Sequence, residues 1–124
     1  MARPLARPLG ERGAVTAELA MALPLLVAVT ATLAWLLAVG FAQVRMIDAA
    51  RETARALARG DDRTAAISIG QRVAPDGARF TVTESDGLVR VEASVRVDGP
   101  GLVIDVVPDV EVDAVAVALM EDDR

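Results

Sequence analysis

Few residues of this chain have side chains able to do chemistry, and one of them is oddly placed. Glu18 stands directly before an uncharged run from Leu19 to Val44, six residues after Arg12 and five after Gly13. A carboxylate near membrane depth costs about 2.5 to 3.5 kcal/mol on insertion scales, so a nearby cation is the natural offset. The remaining acids of interest cluster, Asp61 with Asp62 and Glu121 with Asp122 and Asp123. Either cluster carries enough charge for a divalent cation, but the first follows a glycine that stops a helix and the second lies at the C-terminal end. They read as a solvated loop and a frayed tail, and no metal site is expected. Gly99-Pro100-Gly101 is too short to cradle a phosphate and does not open a helix. Histidine, cysteine and tyrosine do not occur. Their absence removes the commonest general base, the commonest metal ligand, the thiolate and the phenol. No catalytic residue can be named, an enzyme is not expected, and neither a cofactor nor a small-molecule substrate is implied.

Composition points the same way. Apolar residues make up 53 % of the 124 residues but aromatic ones only 2 %, so the apolar mass is alanine, valine and leucine. A membrane segment joined to one small β-rich domain fits this profile better than an aromatic-rich enzyme core. All basic residues are arginines, spread along a chain of net charge −5, which leaves no basic footprint for nucleic acid.

The elements that must position Glu18 begin with the uncharged run. It exceeds the roughly 20 apolar residues that cross a bilayer as a helix, and a domain this small cannot wrap a helix apolar on every side. A transmembrane helix over residues 14–44 is therefore expected, with membrane lipid as its partner. Pro24 removes one backbone hydrogen bond inside it, a loss that membrane helices tolerate. Thr30, Ala34, Ala38 and Ala42 recur every fourth residue, a ridge of small side chains on which a second helix could pack closely. Arginines flank the span on both sides: Arg3, Arg7 and Arg12 before it, Arg45, Arg51, Arg55 and Arg59 after it. Charge alone sets no orientation. The short N-terminal tail and the longer C-terminal part favour the N-terminus inside and the domain outside.

Past the span, Arg45, Asp48, Glu52, Arg55 and Arg59 form a charged stripe at helical spacing, with Met46, Ala49, Ala50, Thr53 and Leu57 on the other side. Residues 45–60 thus read as a membrane-proximal amphipathic helix, continuous with the span and stopped by Gly60. Its stripe reads as solvated and salt-bridged, and Leu57 as a residue docked on the following domain. Residues 64–73 form a short helix or a transition. From Arg79 the period changes to two. Arg79 to Glu84, Leu88 to Val97 and Val110 to Leu119 read as strands, the first two joined by a turn at Asp86-Gly87, with a further short edge strand or loop over Leu102 to Val107. An α+β fold is expected: a long N-terminal helix with a three- or four-stranded antiparallel sheet packed on its C-terminal half, and residues 64–124 forming the domain.

Three starting points for the mature chain are compatible with these residues. A cut between Gly13 and Ala14 leaves the span attached and sets a new α-amino group one helical turn from Glu18. Gly40-Phe41-Ala42 also has the small-x-small form of a secretory cleavage site, which would release a domain beginning at Gln43. An uncleaved chain beginning at Met1 would be a signal-anchored binding module.

Gly13-Ala14-Val15-Thr16-Ala17-Glu18 is similar to the processing site of type IV pilin-like proteins, and ERGAVTAELAMALPLL resembles the start of TadE-like pseudopilins of tight-adherence pilus systems. FAQVRMIDAARETARALARGDD and VPDVEVDAVAVALME resemble that family's membrane-proximal helix and closing strand. Leu19 stands where many members carry an aromatic residue. The resemblance implies a leader of residues 1–13 removed by a prepilin peptidase and a single-pass protein of a bacterial inner membrane. It further implies a structural role among other pilins and the pilus assembly platform. In that family the glutamate matching Glu18 pairs with the freed amine of a neighbouring subunit.

Overall fold

In the computed structural model, which describes residues 9–101 and 107–122, one helix carries the rest of the molecule. No turn signal interrupts the sequence from the leader to Arg59, and α1 runs unbroken from Leu9 to Ala58, through Pro24. The span and the amphipathic helix, expected to be continuous, are one element. Its end is set by Gly60, whose positive φ of 91° lets the N–H groups of Gly60 and Asp61 reach back to the carbonyls of Leu57 and Ala56. That pair of bonds is the usual left-handed cap at a helix C-terminus.

The helix is followed by α2 (Arg63–Val73) and by three strands, β1 (Arg79–Ser85), β2 (Leu88–Val97) and β3 (Val110–Leu119). The strands form one antiparallel sheet in the order β1-β2-β3. The fold is the expected α+β arrangement, and the described sheet has three strands. The segment weighed as a fourth strand lies, apart from Val107, outside the described residues. The turn between β1 and β2 has positive φ at both central residues, 53° at Asp86 and 75° at Gly87. Two-residue hairpins need that geometry because it matches the strands' twist.

Alternation in β2 and β3 turns Val89, Val91, Ala93, Val95, Val112, Ala114 and Ala116 to the inside, against α1. The helix answers with Ala42, Met46, Ala49, Ala50, Ala54 and Leu57, four of the six alanines, and small side chains allow close packing against the sheet. Thr53, the one buried polar residue described, gives its hydroxyl to the Ala49 carbonyl at 2.8 Å. Two further bonds tie the end of the sheet down: Met120 N–H to the Gly87 carbonyl, and Glu121 N–H to the Ala58 carbonyl.

Residues 64–73, which read as a short helix or a transition, are helical within α2, and Gly70 does not break the helix. Glycine weakens a helix by about 1 kcal/mol. Here, however, a Cβ at position 70 would run into Thr53 Oγ1 and come within 2.9 Å of Phe80 Cε1. Gly70 is thus the point where α2 presses between α1 and β1. Arg45 is exposed, as its place in the stripe implies, but it also makes contacts that spacing does not show. Its Nε and Nη2 donate to the carbonyls of Val73 and Ala74, both at 3.0 Å, holding the C-terminal end of α2 to α1. A cation there also meets the negative end of the α2 dipole. Asp48, Arg55 and Arg59 are exposed too, and Glu52, half-buried, pairs with Arg55 at 3.4 Å.

Two substitutions test this packing. Leu57, only 4 % exposed, should not tolerate Leu57→Asp: an unpaired buried charge costs several kcal/mol, and the domain should lose its cooperative melt. Gly70→Val should lower stability by about 1 to 3 kcal/mol through overpacking. Thermal circular dichroism reads both, and an unchanged melting curve for either would refute the contact it probes.

Candidate functional site

The candidate site is the N-terminal part of α1 and the boundary where the sheet begins to cover that helix. Before residue 28 every described side chain of α1 is exposed. Large apolar groups, among them Leu19, Met21, Leu23, Leu25, Leu26 and Val27, point out all round, and no other described part of the chain covers them. The helix meets the length and composition needed to cross a membrane. Its hydroxyls are satisfied internally: Thr16 bonds the Arg12 carbonyl at 2.9 Å, Thr30 that of Leu26 and Thr32 that of Ala28, each at 2.8 Å. Polar groups bonded within their own helix suit a segment in which water is unavailable.

Gly13, Ala14 and Glu18 are all exposed on this bare stretch, and Gly13 has open space where a Cβ would stand. Ala14 and Glu18 are four residues apart in a continuous helix, hence on one face and separated by a rise of about 6 Å. Glu18 forms no ion pair among the described residues. The structure therefore presents a carboxylate, one turn from Ala14, that no described residue neutralises.

The packing ridge divides. Thr30, Ala34 and Ala38 are exposed, while Ala42 is 7 % exposed and belongs to the chain's own core. Spacing alone put Ala42 on a surface for a second helix. The sheet occupies that position instead, so the open ridge is three residues long.

The transition from bare to covered helix occurs at Trp35. Its Nε1 donates to the Asp98 carbonyl at 2.8 Å, joining the helix to the end of β2. Gln43 Nε2 then donates to the Asp113 carbonyl of β3 at 3.1 Å. Residues 35–44, counted with the span because they carry no charge, have the domain on one side. On the other side Phe41 remains 70 % exposed, beside Leu37 and Val44. No family model, curated protein or solved structure matches the chain.

The remaining polar features take structural places. Asp61 lies 3.5 Å from Arg59, and Asp62 precedes α2 as its cap residue without a side-chain bond. Among the described residues no three acids gather to hold a metal ion, and Asp123 lies outside them. Gly99 N–H bonds Asp109 Oδ1 at 2.9 Å, and the Val107 carbonyl packs where a Cβ at position 99 would stand, so this glycine closes the neck of the β2–β3 connection.

Sequence reasoning missed Trp35, Gln43 and Arg45 as the contacts that seat the domain. The available signal was their type: the lone tryptophan, then a glutamine and an arginine, at the outer end of an aliphatic run. Tryptophan favours the membrane–water boundary, where its ring is apolar and its N–H is satisfied. From Ala14 to Trp35 the helix rises about 30 Å, the thickness of the hydrocarbon core. In proteoliposomes, Trp35 emission should be quenched more by lipids brominated near the headgroup than by lipids brominated near the chain end. The reverse order would place the boundary further along α1.

Proposed function

We propose that this chain is a TadE-like pseudopilin, a membrane-anchored structural component of tight-adherence pilus assembly. It would be processed between Gly13 and Ala14 and held in a bacterial inner membrane with its N-terminus inside and its sheet domain outside. The observation that carries the reading is the glycine–alanine junction set five residues ahead of Glu18, on a bare apolar helix that continues as the spine of a small sheet domain. Prepilin peptidase is the expected processing partner, and other pilins with the assembly platform are the expected structural ones.

The chemistry of Glu18 supports this. After cleavage the new ammonium at Ala14 and the Glu18 carboxylate lie near one membrane face, and a partner subunit's ammonium can neutralise Glu18, which has no ion pair among the described residues. In a low-dielectric environment an opposite charge offsets much of the cost of burying the carboxylate. A helix beginning at Ala14 also places its positive dipole end near Glu18. Release after Ala42 is less well supported. Such a cut would remove Trp35 with its bond to Asp98 and would sever α1 at a residue buried in the core.

The mature N-terminus and intact mass, determined on protein from membranes with and without prepilin peptidase, test the proposal. The mature chain should begin at Ala14 only when the peptidase is present, and a chain beginning at Met1 or Gln43 in both would overturn it. Glu18→Ala should insert normally yet reduce assembly severely, and normal piliation by that variant would remove Glu18 from the mechanism.

A further inference from the structure

The sheet has two edges, and its hydrogen-bonding parity fixes what each can accept. The Asp86-Gly87 turn is closed by the pair Ser85 and Leu88, so the odd-numbered residues of β1 bond β2. Phe80 and Val82 therefore direct their backbone groups away from the sheet. At the other edge, Met120 N–H bonds the Gly87 carbonyl, so even-numbered residues of β3 bond β2 and odd-numbered ones point outward. Gln43 already uses one such outward group, the Asp113 carbonyl.

The registers through β2 set Arg79 level with Asp113, Thr81 with Val115, and Thr83 with Val117, all on the solvent face. One edge thus carries an arginine where the other carries an aspartate with Glu111 beside it. Further along, Val115 and Val117 are 51 % and 55 % exposed on a face where β-branched threonines would pair with them.

We propose that copies of this chain associate edge to edge, β3 of one beside β1 of the next, as a parallel ladder without stagger. In a parallel ladder a residue with outward backbone groups bonds the two residues flanking the one opposite it. Val115 opposite Thr81 of the next copy would meet the free groups of Phe80 and Val82. Asp113 would lie opposite Arg79. Direction follows from the anchor: α1 and β3 run alongside one another, joined from Gln43 to Asp113 at one end and from Ala58 to Glu121 at the other. Copies with α1 in one bilayer, pointing the same way, keep β3 and β1 parallel. An antiparallel β3–β3 pair would invert one helix, and a parallel one would turn one sheet over, setting Glu111 and Asp113 of one copy beside inner-face residues such as Val112 and Ala114 of the other. The contact is head to tail, so it generates rings or filaments rather than closed two-fold dimers. This inference rests on the single-pass reading for its direction and is independent of processing after Gly13.

The test uses the full chain in membranes. The chain has no cysteine, so Thr81→Cys with Val115→Cys introduces the only thiols. Within one chain these positions are two strand spacings apart, about 9 to 10 Å, beyond the reach of a disulfide. Oxidation should give a ladder of dimers and larger species on a non-reducing gel, and each single variant should stay monomeric. Adding Arg79→Asp should remove most of the ladder, and adding Asp113→Arg to that variant should restore it. Monomers alone, from a double variant that still melts cooperatively and resists alkaline washing of the membranes, would overturn the edge pairing. Dimers from Val115→Cys alone would overturn it in favour of β3 against β3. A chain that washes off the membranes would instead overturn the single-pass reading and, with it, the direction of the ladder.

Discussion

Met46, Ala49, Ala50 and Thr53 of α1 are fully withdrawn from solvent where the sheet and α2 cover the helix, and Ala56 shares that burial. Four of the five are no larger than threonine, and that size is the constraint on which the fold depends. A three-stranded sheet has one apolar face to cover and little core of its own, so it needs a helix against it. Small side chains let that helix come close enough for valines on β2 and alanines on β3 to fill the gap. Arg45 at the C-terminal end of α2 and Gly70 at its closest approach complete the enclosure on the other flank.

The same helix has opposite solvents at its two ends. Near its start it exposes leucine, valine and methionine in every direction, and near its end it exposes aspartate and arginine outside a buried alanine stripe. Trp35, Gln43 and Arg45 mark the change, each by a side-chain bond to a carbonyl of the domain. The domain is therefore mounted on the anchor and not tethered to it by a linker. An unbroken helix joins the bare apolar stretch to the sheet.

How much of this was legible in the sequence depends on the range of the interactions involved. The alternation of Val89 to Val97 and of Val110 to Ala118 gave the strands their bounds, because one buried and one wet face is a local signature. Asp86-Gly87 gave the hairpin for the same reason. Gly70 was read by its weak helix propensity, whereas its position is decided by Thr53 and Phe80, which are remote in sequence. Arg45 looked like one more member of a charged stripe because spacing shows which residues share a face but not which element covers it. Ala42 was misplaced on an open ridge for that reason too. Glu18 stands out by chemistry, a carboxylate against an apolar run, and the Gly13-Ala14 junction by its resemblance to a processing site; the fold adds that Ala14 and Glu18 share a bare helix face.

The central claim is that anchor and domain are one rigid helix, with the sheet fixed to it from Trp35 onward. Hydrogen–deuterium exchange of the full chain in lipid nanodiscs tests this most directly over Gly40 to Arg45, the stretch between the bare helix and the enclosed core. The account predicts slow exchange there, matching that of Met46 to Leu57. Fast exchange confined to Gly40–Arg45, with protection on both sides, would reveal a hinge and contradict it.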